Sequence, residues 1–252
     1  MNDFFSHSTS QSSSSEFVPD NNLFFKESSL EFNTFSDSEV YSSIMSIKSN
    51  AVRPDGIHLQ FVKIILPFIL TYIAHIFNHI VTTATFPQKW KIANIIPVVK
   101  KTSPSDPADY RPVSILSALS KAFERLICNQ IVTHMRNYKL LSEHQSGIQT
   151  GKSCNTVVLK ALEDLRPAFD RGDLAVLVLI DFSEAFDSIS FDILLQKLSV
   201  YFGFGVHACQ VIATYPNGHS QFVSSMNAVS SMKNNLVTSG IDFGAYSFLC
   251  IY

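Results

Sequence analysis

The stretch that most constrains this chain is Leu174 to Ile180, LAVLVLI, closed by Asp181. Seven consecutive apolar residues with a β-branched bias are too few for a membrane span and carry no 3.6-residue period. Such a run reads as a buried strand, covered on both faces and expected over Leu174–Phe182. Asp181 then stands where a core strand meets solvent, and Phe186 follows five residues later on a turn. A carboxylate held there by a rigid strand is a place to bind a divalent cation. It also reads, on the residues alone, as a strand-end cap beside a core phenylalanine.

The 252 residues suffice for one large domain or two small ones, and 46% hydrophobic against 16% charged residues suits a packed core. The net charge of −2 conceals an asymmetry. Residues 1–50 hold seven acids and two bases. Residues 85–140 hold nine Lys and Arg against Asp106, Asp109 and Glu124. A basic middle is the footprint expected of a phosphate-binding partner surface, or else of a solvated helix face. The four cysteines (Cys128, Cys154, Cys209 and Cys250) lack zinc spacing and read as reduced thiols of a reducing, intracellular compartment, cytoplasm or nucleus. Ile64–Phe77 is apolar for 14 residues, contains Pro67, and falls short of the ~20 residues a membrane span needs, so it reads as a buried helix. His75 and His79 lie one helical turn apart but have no third ligand nearby in sequence, which favours a structural role.

Three parts follow from the patterning. Residues 1–35, with SQSSSS at 10–15, read as a disordered leader or linker. Residues 36–172 are mostly helical. Ser36 with Glu39 predicts a capping box opening a helix to about Lys48, and a long apolar helix should follow Pro54-Asp55-Gly56 and end near Phe86-Pro87. A short strand over Ala93–Val99, a polar loop over Lys100–Tyr110, and a helix opened by Ser117 or Ser120 come next. The last helix carries Leu119, Phe123, Leu126, Ile127, Ile131 and Met135 at helical spacing. Pro167 falls inside a helical stretch, where it kinks the helix or costs about 3 kcal/mol. Residues 173–252 open on the Leu174–Phe182 strand and continue into a helix over about Ser190–Phe202 stopped by Gly203 and Gly205, with short strands at Gln221–Val223 and Leu236–Val237.

Several blocks, taken in order, give the chain a resemblance. Phe86-Pro87-Gln88-Lys89-Trp90-Lys91 with Ile95-Ile96-Pro97-Val98-Val99-Lys100-Lys101, then Tyr110-Arg111-Pro112-Val113-Ser114-Ile115-Leu116 and Ser120–Ile127, then Asp181-Phe182-Ser183-Glu184-Ala185-Phe186-Asp187, then Tyr215–Val223, are similar to blocks of the reverse transcriptase domain of non-LTR, jockey-like retrotransposons. The resemblance covers roughly residues 36–252. It implies an α+β fold of the polymerase right-hand type: helical fingers over 36–172 and the first part of an antiparallel palm sheet over 173–252, with the Asp181 strand near its centre, the 190–202 helix on one face, and no thumb.

The resemblance also implies the chemistry. Two divalent metals, Mg²⁺ or Mn²⁺, handle phosphoryl transfer in such enzymes. Asp181 and the backbone carbonyl of Phe182 would be ligands, Phe186 would pack beside the sugar of the incoming nucleotide, and Lys100 and Arg111 would neutralise its triphosphate. The implied partners are an RNA template, a DNA primer and deoxynucleoside triphosphates, with no membrane.

Departures are also present. Where the family carries Gln-aromatic-Gly-Phe-Arg, this chain has Gln145-Ser146-Gly147-Ile148-Gln149. Where it carries Pro-Gln-Gly-Ser, this chain has Ser239–Ala245. After Asp187 the acids are Asp192 and Asp242, with no adjacent Asp pair. The expectation is a truncated copy whose double-aspartate block lies outside the chain, with an incomplete, weak metal site and no activity alone. The competing expectation is a non-catalytic nucleic-acid-binding or interaction module that uses the basic 85–140 region.

Overall fold

A computed structural model describes residues 29–48, 54–142, 144–147, 151–181, 190–215, 218–225 and 228–234. Its elements begin with α1 (Asp37–Ser46), α2 (Leu59–Thr83), β1 (Ile92–Val99), β2 (Tyr110–Ile115), α3 (Ala118–Asn137) and α4 (Cys154–Asp170). They continue with α5 (Phe191–Phe202), α6 (Val206–Thr214), β3 (Ser220–Ser225), β4 (Ala228–Val229) and β5 (Lys233–Asn234). The architecture is α+β: a small mixed sheet beside packed helices.

Local chemistry accounts for the helix starts. Ser36 accepts from the Glu39 backbone N–H while the Glu39 carboxylate accepts from the Ser36 backbone N–H, the reciprocal box expected from sequence. Ser117 caps α3 through the Ser120 N–H, and Ser153 caps α4 through the Thr156 N–H. Gly203 ends α5 in the left-handed conformation at φ 67°, where a side chain is disfavoured. α2 runs through Pro67 and α4 through Pro167, so neither proline ends its helix.

The sheet order is β2-β1-β3-β4, with β5 also on β3. β1 pairs antiparallel with β2, Val98 opposite Arg111, and parallel with β3, Ile92 opposite Ser220. The Lys100 N–H donates to the Asp109 carbonyl at 2.8 Å and sets the ladder's parity. Pro97 and Pro112, directly opposite, then occupy a non-hydrogen-bonded pair where neither ring's missing N–H is needed.

The sheet corrects two expectations. It is mixed rather than antiparallel, and Leu174–Asp181 is not in it: these residues form no strand and are exposed, Leu179 at 85% and Ile180 at 79%. An apolar run becomes a strand only if another strand satisfies its N–H and C=O groups. β1 is already flanked by β2 and β3, and among the described residues no partner runs beside 174–181. α5 packs against α6 rather than on a sheet face.

One hydrophobic core joins elements from both sides of residue 172, from Phe32 to Val223. Its centre is a chain of edge-to-face rings: Phe123 meets Phe35, Phe77 and Phe86 at 6.0, 5.4 and 5.2 Å, and Phe77 meets Trp90 at 5.7 Å. Residues 30–35 strap this core. Leu30 exchanges backbone hydrogen bonds with Gly203 and Gly205, the Glu31 carboxylate accepts from the Ala208 N–H at the start of α6, and Asn33 and Phe35 are gripped by Gln130 and Asn78. Residues 30–35, which the patterning assigns to the leader, are thus part of the packed structure. α4 has no buried residue.

Phe123→Ala should cost about 3–5 kcal/mol, because it empties a ring-sized volume that three aromatics share. Urea denaturation followed by far-ultraviolet circular dichroism measures it. Phe169→Ala on exposed α4 should change stability by under about 0.5 kcal/mol.

Candidate phosphate-binding hairpin and carboxylate segment

The best-built functional element is the β1–β2 hairpin. Its strands place Arg111 opposite Val98, and the Lys100–Asp109 backbone bond extends the ladder by one pair. Side chains two residues apart share a face. Lys100 and Arg111 are therefore diagonal neighbours on one face, both exposed, beside exposed Val98 and Val113. The Lys100 ammonium donates to the Ala108 carbonyl at 3.0 Å, which holds it at the hairpin tip. Arg111 has no ion-pair partner among the described residues.

Asp109 organises the tip. Its carboxylate pairs with Lys101 at 2.7 Å and accepts from the backbone N–H groups of Ser105 and Asp106. The Lys101 hydrogen bond first, then those two N–H groups, hold its pKa at about 2, below the ordinary 3.8. Lys101 is thereby committed within the loop.

Buried polar contacts, which helical spacing alone does not reveal, tie α3 to the end of α6 and β3 to β1. On α3, Ser120 Oγ donates to Glu124 Oε1 at 3.2 Å, and the Tyr215 hydroxyl donates to the same oxygen. Burial first, then the adjacent Glu124 carboxylate, push the Tyr215 phenol well above its usual range. The Tyr215 ring lies 5.1 Å from the buried His219 ring, and the Lys91 ammonium donates to the Thr214 carbonyl at 2.8 Å. Burial lowers the Lys91 pKa, and it is the main reason the His219 pKa falls to about 4 from 6.5. Ser224 Oγ donates to Asn94 Oδ1 at 2.6 Å and joins β3 to β1. The sequence signal was present in polar residues at core-facing positions of α3, where Ser120 and Glu124 alternate with Phe123 and Ile127.

The basic 85–140 stretch is not one continuous face. Lys91 is buried, Lys101 is paired with Asp109, and Arg125 donates to Ser46 Oγ. This weakens the reading as a stand-alone basic module.

The carboxylate half is not assembled beside the hairpin. Asp181 is exposed at the end of the unpaired segment, with no hydrogen bond or ion pair to Lys100 or Arg111 among the described residues. Phe182 and Phe186 lie outside the described residues. No group of three or more His, Cys, Asp or Glu that could hold a metal occurs among the described residues. A two-metal centre needs several oxygen ligands within a few ångströms; of the implied ligands, Asp181 is the one among the described residues.

Comparison with known proteins then bears on the whole arrangement. Residues 99–247, more than half of the chain, match the family described as "Reverse transcriptase (RNA-dependent DNA polymerase)". Among individual relatives, the chain is 37% identical over 134 residues to the probable RNA-directed DNA polymerase from transposon BS of Drosophila melanogaster, covering 53% of this chain and 15% of that protein. It is 31% identical over 182 residues to the corresponding probable enzyme from the X-element of the same fly, covering 70% of this chain and 19% of that protein. It is 36% identical over 134 residues to the RNA-directed DNA polymerase from mobile element jockey, again of D. melanogaster, covering 51% and 14%. The chain thus spans less than a fifth of the length of these relatives.

Because the folded state holds His219 neutral, its contribution to stability is complete above pH 6.5 and is lost as pH falls toward 4, up to roughly 3 kcal/mol. Denaturant midpoints at intervals from pH 7 to 4 should fall accordingly, and His219→Phe should flatten that slope.

Proposed function

Since the chain belongs to the reverse transcriptase family, we propose that it derives from the RNA-directed DNA polymerase of a non-LTR retrotransposon and that, alone, it binds nucleic-acid and triphosphate phosphates without completing nucleotidyl transfer. The observation that carries this reading is the pairing of Lys100 and Arg111 on one exposed hairpin face, at the start of the family-matched span. The two cations stand where a phosphate chain would bridge them, and Arg111 offers a planar fork for two oxygens of one phosphate. On this reading residues 36–172 are the fingers part and 173–252 the beginning of the palm. The partners are an RNA template, a DNA primer and deoxynucleoside triphosphates.

Asp181 is the catalytic carboxylate and a metal ligand on this reading, with the Phe182 carbonyl as a second ligand and Phe186 against the sugar. Electrostatic stabilisation of the transferring phosphoryl group is the dominant catalytic contribution in such reactions. A lone carboxylate supplies little of it and holds Mg²⁺ or Mn²⁺ weakly. The 252 residues contain no adjacent Asp pair, and Ser239–Ala245 replaces the family's Pro-Gln-Gly-Ser. These two features support inactivity of this polypeptide.

Two measurements test the proposal. Fluorescence anisotropy with a labelled RNA–DNA hybrid should show steep salt dependence. Lys100→Ala with Arg111→Ala should flatten its slope by up to about two units, while Lys101→Ala, already paired with Asp109, should change it less. An unchanged slope in the double variant would remove the hairpin from the interface. In the second measurement, purified chain with primed RNA, deoxynucleotides and Mg²⁺ should extend no primer above background. Extension that vanishes in Asp181→Ala would show that another carboxylate completes the site.

A further inference from the structure

The outer face of α2 carries an apolar stripe that has no partner among the described residues and is unrelated to the hairpin. Ile57, just before the helix, and Phe61, Ile64, Phe68, Tyr72 and Ile76 within it recur at intervals of three or four residues, the spacing of one helix face. All are exposed, Phe68 at 80% and Ile64 at 74%. The opposite face, with Val62, Leu66, Ile73, Phe77 and Ile80, is buried in the core. The stripe is therefore surplus to folding. Its three rings alone offer roughly 400 Å² of apolar surface. With the three isoleucines the patch exceeds the ~300–600 Å² common on monomers and approaches the ~800 Å² per partner of a stable interface.

We propose that this stripe is a homodimer interface in which α2 packs antiparallel against α2 of a second copy, with Phe68 on the two-fold axis. The positions are self-complementary about Phe68. An antiparallel pairing sets Phe68 on Phe68 of the partner subunit, Ile64 on Tyr72 of the partner subunit, and Phe61 near Ile76 of the partner subunit. A two-fold interface requires this kind of reciprocity, in which one patch meets itself. No ionised group is opposed to its own copy. Lys63 is the one Asp, Glu, Lys or Arg in α2, and its ammonium is occupied by the Met45 and Ile47 carbonyls at 2.9 and 2.8 Å. A lipid surface is the weaker occupant. α2 is long and apolar enough to span a bilayer, but its inner face is committed to the core, and interfacial helices rely on a basic polar face that α2 lacks.

Sedimentation velocity on the full chain at micromolar concentration tests this. The expected result is a concentration-dependent dimer that Phe68→Glu converts to monomer with unchanged circular dichroism, while Leu177→Glu on the other exposed apolar run leaves the dimer intact. A second variant, Phe68→Cys with Cys154→Ser, should form a covalent dimer on mild copper–phenanthroline oxidation well above the Cys154→Ser background. A monomeric wild type, a dimer that survives Phe68→Glu, or association abolished by Leu177→Glu instead would each overturn the proposal. So would a monomer whose Phe68 drives binding to phosphatidylcholine–phosphatidylserine vesicles.

Discussion

The hydrophobic core of the described residues converges on the ring of Phe123. α3 carries it into the centre of the molecule, where it meets Phe35 from the N-terminal strap, Phe77 from α2 and Phe86 from the entry to β1. Phe86 passes the contact on to Tyr215 at 4.9 Å, at the end of α6. Edge-to-face packing is directional, so this set fixes angles as well as distances. Segments far apart in sequence converge on one residue. The next residue of the same helix, Glu124, adds a polar tie to Tyr215.

Some of this was legible in the residues. The Ser36–Glu39 box, the Ser117 cap and the Gly203 stop are local devices, and each acts in the structure as its sequence suggests. β2 was harder to see because Arg111-Pro112 looks like a breaker. Only the register, which sets Pro112 against Pro97 at a pair that needs no N–H, makes proline acceptable there. α6 is nine residues long and lies between two weak signals, so its short apolar run gave no usable period. The strap at 30–35 is held by reciprocal amide bonds to Gln130 and Asn78, partners 97 and 43 residues away, which no local pattern announces. The family resemblance was readable from ordered blocks, and the family match supports it.

The Leu174–Asp181 segment marks where local reading stops. Its composition is that of a core strand, but composition supplies only one side of a ladder. Hydrogen bonding and burial both come from neighbours, and here β1 is already flanked on both sides. The result is an apolar run left in solvent beside α4, a helix with no buried residue. An unpaired run of this kind, uncharged and rich in β-branched residues, tends toward intermolecular pairing. Asp173 and Asp181 flank it, and like charges brought opposite one another by in-register pairing of two copies weigh against that outcome.

The two halves of the candidate site therefore differ in kind. The hairpin half is specified by contacts within a short distance in sequence: a turn organised by Asp109 and two strands in fixed register. On the proposed reading the carboxylate half rests on Asp181, at the end of a run that has no strand partner among the described residues. Catalysis by positioned charge falls steeply when a group is misplaced by an ångström, whereas phosphate binding by paired cations tolerates such slack because Coulomb attraction varies slowly with distance. On the proposed reading, the chain keeps affinity for phosphates under conditions in which it does not place the carboxylate that would act on them.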